Sequence, residues 1–246
     1  MAPNNSPKPI NEGTIHLWTA TLKTWIPHAE KLRYLLSPEE LERIDRRKIT
    51  SKKDEFLCSR GILRIILSMY AAQDPQHLII NYSSSGKPFL PDSEIEFNIS
   101  HSRDMLLCGI RAKQKIGLDI QEVYDISSMD RIILNHFSPA EIQYLQDLPS
   151  SREYKEHFFA IWTAKEAYFK GVGDGIKETF KQVSIIPGSA DLRSYRISLN
   201  GSQKDQSDWT LNPIEIAPGY IAALAYEGSM NELCRYEITP EKYFSS

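Results

Sequence analysis

The sequence predicts an α+β fold made of two related halves, a pseudo-dimer of similar subdomains within one chain. Three observations carry that expectation. The same helix opening occurs twice, as Leu36-Ser37-Pro38-Glu39-Glu40 and Phe137-Ser138-Pro139-Ala140-Glu141. Each has a serine cap, a proline in the first turn and a glutamate three residues after the serine. Each is then followed by a long amphipathic helix, one around Phe56 and one around Phe158, and strands follow both. The divide falls near Arg111–Lys115. It separates an N-terminal subdomain, 14–113, from a C-terminal subdomain, 114–246, behind a polar tail, 1–13, expected to be disordered.

Composition narrows the function classes. The 246 residues are 41% hydrophobic and 25% charged, ordinary values for a chain with a sizeable core. A net charge of −3 argues against bulk binding to nucleic acid or to a membrane surface. The three cysteines, Cys58, Cys108 and Cys234, are scattered and lack CxxC spacing, so free thiols are expected instead of a zinc knuckle or disulfide framework. No secretory signal or membrane-length apolar run stands out. A cytoplasmic, monomeric protein is expected.

In chain order, Thr14–Ala20 alternates as a first strand, and the Ser37 cap starts a helix reaching about Lys48. Ser51–Tyr70 carries Phe56, Leu63, Ile66, Leu67 and Tyr70 at helical spacing. Between Arg43 and Lys53, six basic residues face one acid. They are a solvated helix face or a docking site for an anionic ligand or protein; RNA is a weaker third reading, because no aromatics are interleaved with them as a stacking platform needs. Ser83-Ser84-Ser85-Gly86-Lys87-Pro88 is turn chemistry in which glycine permits close backbone approach and lysine adds charge. Ile95–Ser100 and Met105–Ile110 form a hairpin across Ser102-Arg103-Asp104. His101, at that turn, is a surface residue or a phosphate grip. Lys115–Gln121 is a strand whose Asp119 sits in an apolar stretch, as an edge residue or beside a metal or basic partner. Gln182–Pro187, Arg193–Leu199, Trp209–Ile216 and Tyr220–Tyr226 read as strands, and Leu233–Ile238 as an edge strand. Ile126, Ile132, Ile133 and Leu134, in the segment Tyr124–Phe137, are either core or a surface for a carrier helix.

The long helix Phe158–Lys170 is expected to end at a Gly171 cap, before a glycine loop through Ile176. Phe158, Trp162, Glu166 and Lys170, four apart, run along one side of it. Taken alone, Glu166 and Lys170 read as a surface ion pair. Taken with Asp119, His101, Lys87 and the basic helix, they are the parts for gripping a diphosphate. Two acids from different elements can share one Mg²⁺, and the cations neutralise phosphate.

Four motifs in order, Gly86-Lys87-Pro88, Phe97–Ser102, Ile116–Ile120 and Trp162–Lys170, resemble the signature of the Sfp-type 4'-phosphopantetheinyl transferases. The resemblance implies that family's fold, with coenzyme A and Mg²⁺ between two similar subdomains. It also implies the reaction: a serine of an acyl, aryl or peptidyl carrier protein receives the phosphopantetheine arm and 3',5'-ADP leaves. By motif, Asp119 and Glu166 are the metal ligands, Glu166 also a base, and Lys170 the group that serves the departing phosphate. His101 and Arg43 take the 3'-phosphate, Gly86, Lys87 and Pro88 line the adenine side, and Lys165 is a phosphate contact. Gln121 departs from the glutamate of some members and is a weaker third ligand. A non-catalytic module that binds coenzyme A or carrier proteins, and a Mg²⁺-dependent hydrolase of another diphosphate, are the competing classes.

Overall fold

In the computed structural model, residues 7–46, 50–173, 178–188, 192–199 and 208–244 are described, so Arg47, Lys48 and the loop positions Asp174–Ile176 lie outside the described residues. The chain forms two compact units. Unit 1 comprises the chain up to Ser83, Pro88–Lys113 and the segment from Asn231 onward, and unit 2 comprises Ser84–Lys87 and Gln114–Met230.

Unit 1 contains β1 (Thr14–Thr21), short helices α1 (Leu22–Trp25) and α2 (Ala29–Arg33), then α3 (Pro38–Asp45) and α4 (Thr50–Ala71). The two-residue strands β2 (Asn81–Tyr82) and β3 (Pro88–Phe89) precede the hairpin β4 (Ile95–Ser102) and β5 (Met105–Ala112). Unit 2 contains β6 (Ile116–Glu122), α5 (Met129–His136), α6 (Pro139–Gln146) and α7 (Ser151–Val172), then β7 (Val183–Pro187), β8 (Tyr195–Leu199), β9 (Trp209–Ile214) and β10 (Tyr220–Glu227). The chain then returns to unit 1 as β11 (Glu232–Glu237) and α8 (Pro240–Phe244).

In unit 1 the sheet order is β11-β1-β5-β4, with β11 parallel to β1 and the other pairs antiparallel. Leu57, Ile62, Leu63 and Ile66 of α4 pack with Trp18, Trp25, Phe97 and Ile110 in its core. In unit 2 the antiparallel order is β6-β10-β9, and β7 and β8 form a separate hairpin. Helix α7 lies against β6 and β10. Phe158, Phe159 and Ile161 of that helix pack with Ile133, Phe137 and Leu145; Ala164, Ala167 and Phe169 pack with Phe180, Ile185 and Ala223. Among the described residues no helix is long and apolar enough to cross a membrane.

Both Ser-Pro-x-Glu openings form capping boxes. Glu40 N–H donates to Ser37 Oγ at 3.3 Å and Ser37 N–H to Glu40 Oε2 at 3.0 Å. The matching bonds of Ser138 and Glu141 are 3.2 and 2.7 Å.

Three expectations are corrected. Residues 7–13 are engaged: Ile10 packs on the unit 1 core, Lys8 pairs with Glu232 and Glu12 with Lys113. The segment 231–246, assigned by sequence to the C-terminal subdomain, has its described part in unit 1, because β11 completes the sheet beside β1. Helix α7 runs through Gly171 to Val172, and its left-handed cap is Gly173, at φ 91°.

Candidate functional site

Strand β6 presents Gly117, Asp119 and Gln121 on one face, because side chains alternate along a strand. On α7, Glu166 and Lys170 are one turn apart. Their approach joins the two elements: Lys170 Nζ donates to Asp119 Oδ1 at 2.5 Å. Gln121 Nε2 donates to Asp119 Oδ2 at 2.9 Å. Asp119 is 2% exposed, so its charge is compensated by an ammonium and an amide, as a buried carboxylate requires.

Glu166 completes the cluster. Burial pushes its carboxyl up to about 7; the nearby Lys170 ammonium opposes that rise and the Asp119 charge adds to it. Two carboxylates that repel each other across a half-buried space suit a divalent cation, whose charge would relieve both. Among the described residues no group of three or more His, Cys, Asp or Glu side chains could hold a metal. The residues present that could hold such a cation are the carboxylates of Asp119 and Glu166, and a Mg²⁺ ion held by two carboxylates keeps positions for water and phosphate oxygens. Gln121 turns its amide nitrogen to Asp119 and so holds that carboxylate in place.

Lys165 does not face a ligand and is withdrawn from the coenzyme A set. It is fully buried, its ammonium is 2.9 Å from both carboxylate oxygens of Glu141, and it donates to the Val183 carbonyl at 2.5 Å. Glu141 also accepts from Ile185 N–H at 2.7 Å. One ion pair thus ties α6, α7 and β7 together. Sequence reasoning missed this role of Glu141; the only signal was its place in the capping box, on the buried side of a short helix.

The remaining predicted residues are distributed as follows. Lys87 belongs to unit 2, and its ammonium donates to the carbonyls of Ile116 and Gly171, each at 3.3 Å. Gly86 is exposed in the left-handed region at φ 83°, a turn conformation suited to glycine. Pro88 is buried at the start of β3 in unit 1. His101 is exposed near the end of β4. The Arg43 guanidinium lies over the Tyr82 ring at 4.1 Å, in unit 1. Asp119, Gln121, Glu166 and Lys170 are thus brought together, whereas Arg43, Pro88 and His101 belong to the other unit. The segment 124–137 is part core and part surface. Ile133 is core and Ile126 and Ile132 pack against it, while Tyr124 is 48% and Leu134 64% exposed.

Comparison with known proteins separates along the same line as the units. A model described as the 4'-phosphopantetheinyl transferase superfamily matches residues 115–225, and one described as 4'-phosphopantetheinyl transferase, N-terminal, matches residues 18–111. The 4'-phosphopantetheinyl transferase HetI of Nostoc sp. is 36% identical over 190 residues, covering 74% of this chain and 80% of HetI. The L-aminoadipate-semialdehyde dehydrogenase-phosphopantetheinyl transferase of Rattus norvegicus is 24% identical over 243 residues, covering 89% of this chain and 78% of that protein. The 4'-phosphopantetheinyl transferase Sfp of Bacillus subtilis is 28% identical over 159 residues, covering 63% of this chain and 68% of Sfp.

Proposed function

The chain belongs to the 4'-phosphopantetheinyl transferase superfamily, and from that premise we propose that it moves the 4'-phosphopantetheine arm of coenzyme A to a serine of an acyl, aryl or peptidyl carrier protein. The observation that supports this reading most strongly is the cluster itself, in which Asp119 of β6 meets Lys170 of α7 with the Glu166 carboxyl beside them.

In this proposal the serine oxygen forms a bond to the β-phosphorus of coenzyme A. Glu166 takes the serine proton, directly or through a water. The bond from that phosphorus to its bridging oxygen breaks, and 3',5'-ADP leaves with the electron pair. Lys170 stabilises the leaving phosphate through its charge or by donating a proton. When bound, Mg²⁺ would be held by Asp119 and Glu166 and would neutralise the pyrophosphate oxygens. Arg43 and His101 are the proposed contacts of the 3'-phosphate, and the Gly86–Pro88 backbone the contact of the adenine side. The enzyme acts as a cytoplasmic monomer on carriers of fatty-acid, polyketide or nonribosomal peptide synthesis, and exposed Tyr124 and Leu134 offer apolar contacts for a carrier helix.

The test is intact-mass measurement of a panel of purified apo carriers incubated with coenzyme A and Mg²⁺. A phosphopantetheine mass gain on the carrier serine, with equimolar 3',5'-ADP, is expected. Binding of coenzyme A without any product would favour the non-catalytic module, and 3',5'-ADP released without a carrier would favour a hydrolase.

A further inference from the structure

The cluster depends on how closely β6 and α7 approach, and three residues outside it govern that approach. Gly117 is two positions before Asp119 on the same face of β6. A Cβ built there would meet the carbonyl oxygen of Ala167 and the nitrogen and Cα of Gly171, which are backbone atoms on successive turns of α7. No rotamer change can relieve such a collision, because backbone does not swing aside. Gly171 follows Lys170 directly, and a Cβ on it would meet the Trp209 ring and the Gly117 nitrogen. Strand and helix therefore cross backbone to backbone beside the carboxylates. Lys87 spans this crossing, with its ammonium donating to Ile116 on the strand and to Gly171 in the last turn of the helix. Carbonyls of a last helical turn lack intrahelical donors, so an ammonium there has a clear electrostatic purpose.

The corresponding positions of unit 1 show the alternative. At a constant offset of 101 residues, set by Ser138 against Ser37, Gly117 corresponds to His16 and Gly171 to Tyr70. There two large side chains fill the space between strand and helix, with His16 Nδ1 and Tyr70 OH 2.8 Å apart. The unit that carries the carboxylates is the one whose crossing has been stripped of side chains.

We propose that Gly117, Gly171 and Lys87 form a crossing clamp that sets Asp119 against Glu166 and Lys170, and that the Lys87 side chain is a positioning group and not a contact of coenzyme A. This rests on the transferase reading above, and the experiment separates the two. Lys87→Met and Lys87→Arg are compared with wild type in three measurements: Mn²⁺ binding by electron paramagnetic resonance without coenzyme A, 3',5'-ADP binding in EDTA by calorimetry, and amide hydrogen exchange across β6 and the last turn of α7. The clamp predicts that Lys87→Met weakens Mn²⁺ about 3–10-fold, leaves 3',5'-ADP affinity within about twofold and speeds exchange at both segments, and that Lys87→Arg, which keeps the charge and the donors, restores all three. A loss of 3',5'-ADP affinity of about tenfold with unchanged Mn²⁺ binding and unchanged exchange would overturn it and make Lys87 a ligand contact. Wild-type protein that binds no Mn²⁺ would defeat the metal reading, and the exchange rates would then decide the clamp by themselves. Gly171→Ala adds an independent check. It should slow transfer, and Trp209→Leu in the same chain should recover part of the loss by removing the ring that a Cβ would strike. Gly117→Ala, which strikes backbone, should slow transfer on the order of 10²-fold with no such recovery, as expected when reacting groups shift by about 1 Å.

Discussion

Units 1 and 2 are built alike and filled differently. The order β1-β5-β4 repeats as β6-β10-β9, with antiparallel pairing in both. Helices α3 and α6 each have 8 residues, and α4 and α7 each have 22. The buried Glu40–Arg64 pair of unit 1, at 2.7 Å, stands where unit 2 has Glu141–Lys165, with the same separation of 24 along the chain. At the positions of Asp119, Glu166 and Lys170, however, unit 1 carries Trp18, Ile65 and Met69. Trp18 and Ile65 are buried. One scaffold thus serves as plain core in unit 1 and as a charged cluster in unit 2. The shared features belong to the fold, and those that differ are the charged residues of the proposed site.

The sharpest way to break this comparison is at the charged positions. Glu166→Gln and Asp119→Asn should lower transfer by about 10³-fold or more while the circular dichroism spectrum stays near wild type and the unfolding midpoint does not fall, since removing a general base alone is worth about 10²–10⁴-fold. A matching loss of stability would mean that these residues serve the fold, as their counterparts in unit 1 do.

The shared ion pairs should behave oppositely. Lys165→Met leaves Glu141 buried without its cation, and Arg64→Met does the same to Glu40; each should cost about 3–5 kcal/mol in denaturant unfolding. Lys165→Arg should cost much less, because unit 1 already holds its glutamate with an arginine. Next comes pH. Glu166 is raised in the folded chain from an ordinary 4.5 to about 7, so its ionisation opposes folding. In EDTA, its contribution is most favourable below about 4.5, and about 1–3 kcal/mol should be lost as pH rises through about 7. Glu166→Gln should flatten that slope in urea unfolding performed across the pH series. The smallest effect is at the caps. Ser37→Ala and Ser138→Ala should each cost about 1 kcal/mol. The loss should be larger at Ser138, whose hydroxyl also accepts from Ser184 Oγ at 2.8 Å.

What could be read from the sequence follows from how local each interaction is. Both capping boxes were legible because their partners lie within four residues. Asp119, Glu166 and Lys170 were legible only as a set, from motifs in order along the chain; taken singly they read as an edge residue and a surface ion pair. The fate of Lys165 was not, since its partner comes from another helix and its other acceptor from a later strand. Gly171 read as a cap because glycine does end helices; that it serves a strand crossing became visible only once Gly117 and Trp209 were placed around it. The parallel pairing of β11 with β1 joins segments from opposite ends of the chain, and no local pattern announces it.

The proposed divalent-ion site belongs to unit 2 alone, with Asp119 and Glu166 as its ligands. Mn²⁺ titration followed by electron paramagnetic resonance tests it on wild type, Asp119→Asn, Glu166→Gln and, from unit 1, Ile65→Val. One site is expected, retained in Ile65→Val and lost in both carboxylate variants. Unchanged Mn²⁺ binding in Asp119→Asn and Glu166→Gln would contradict it.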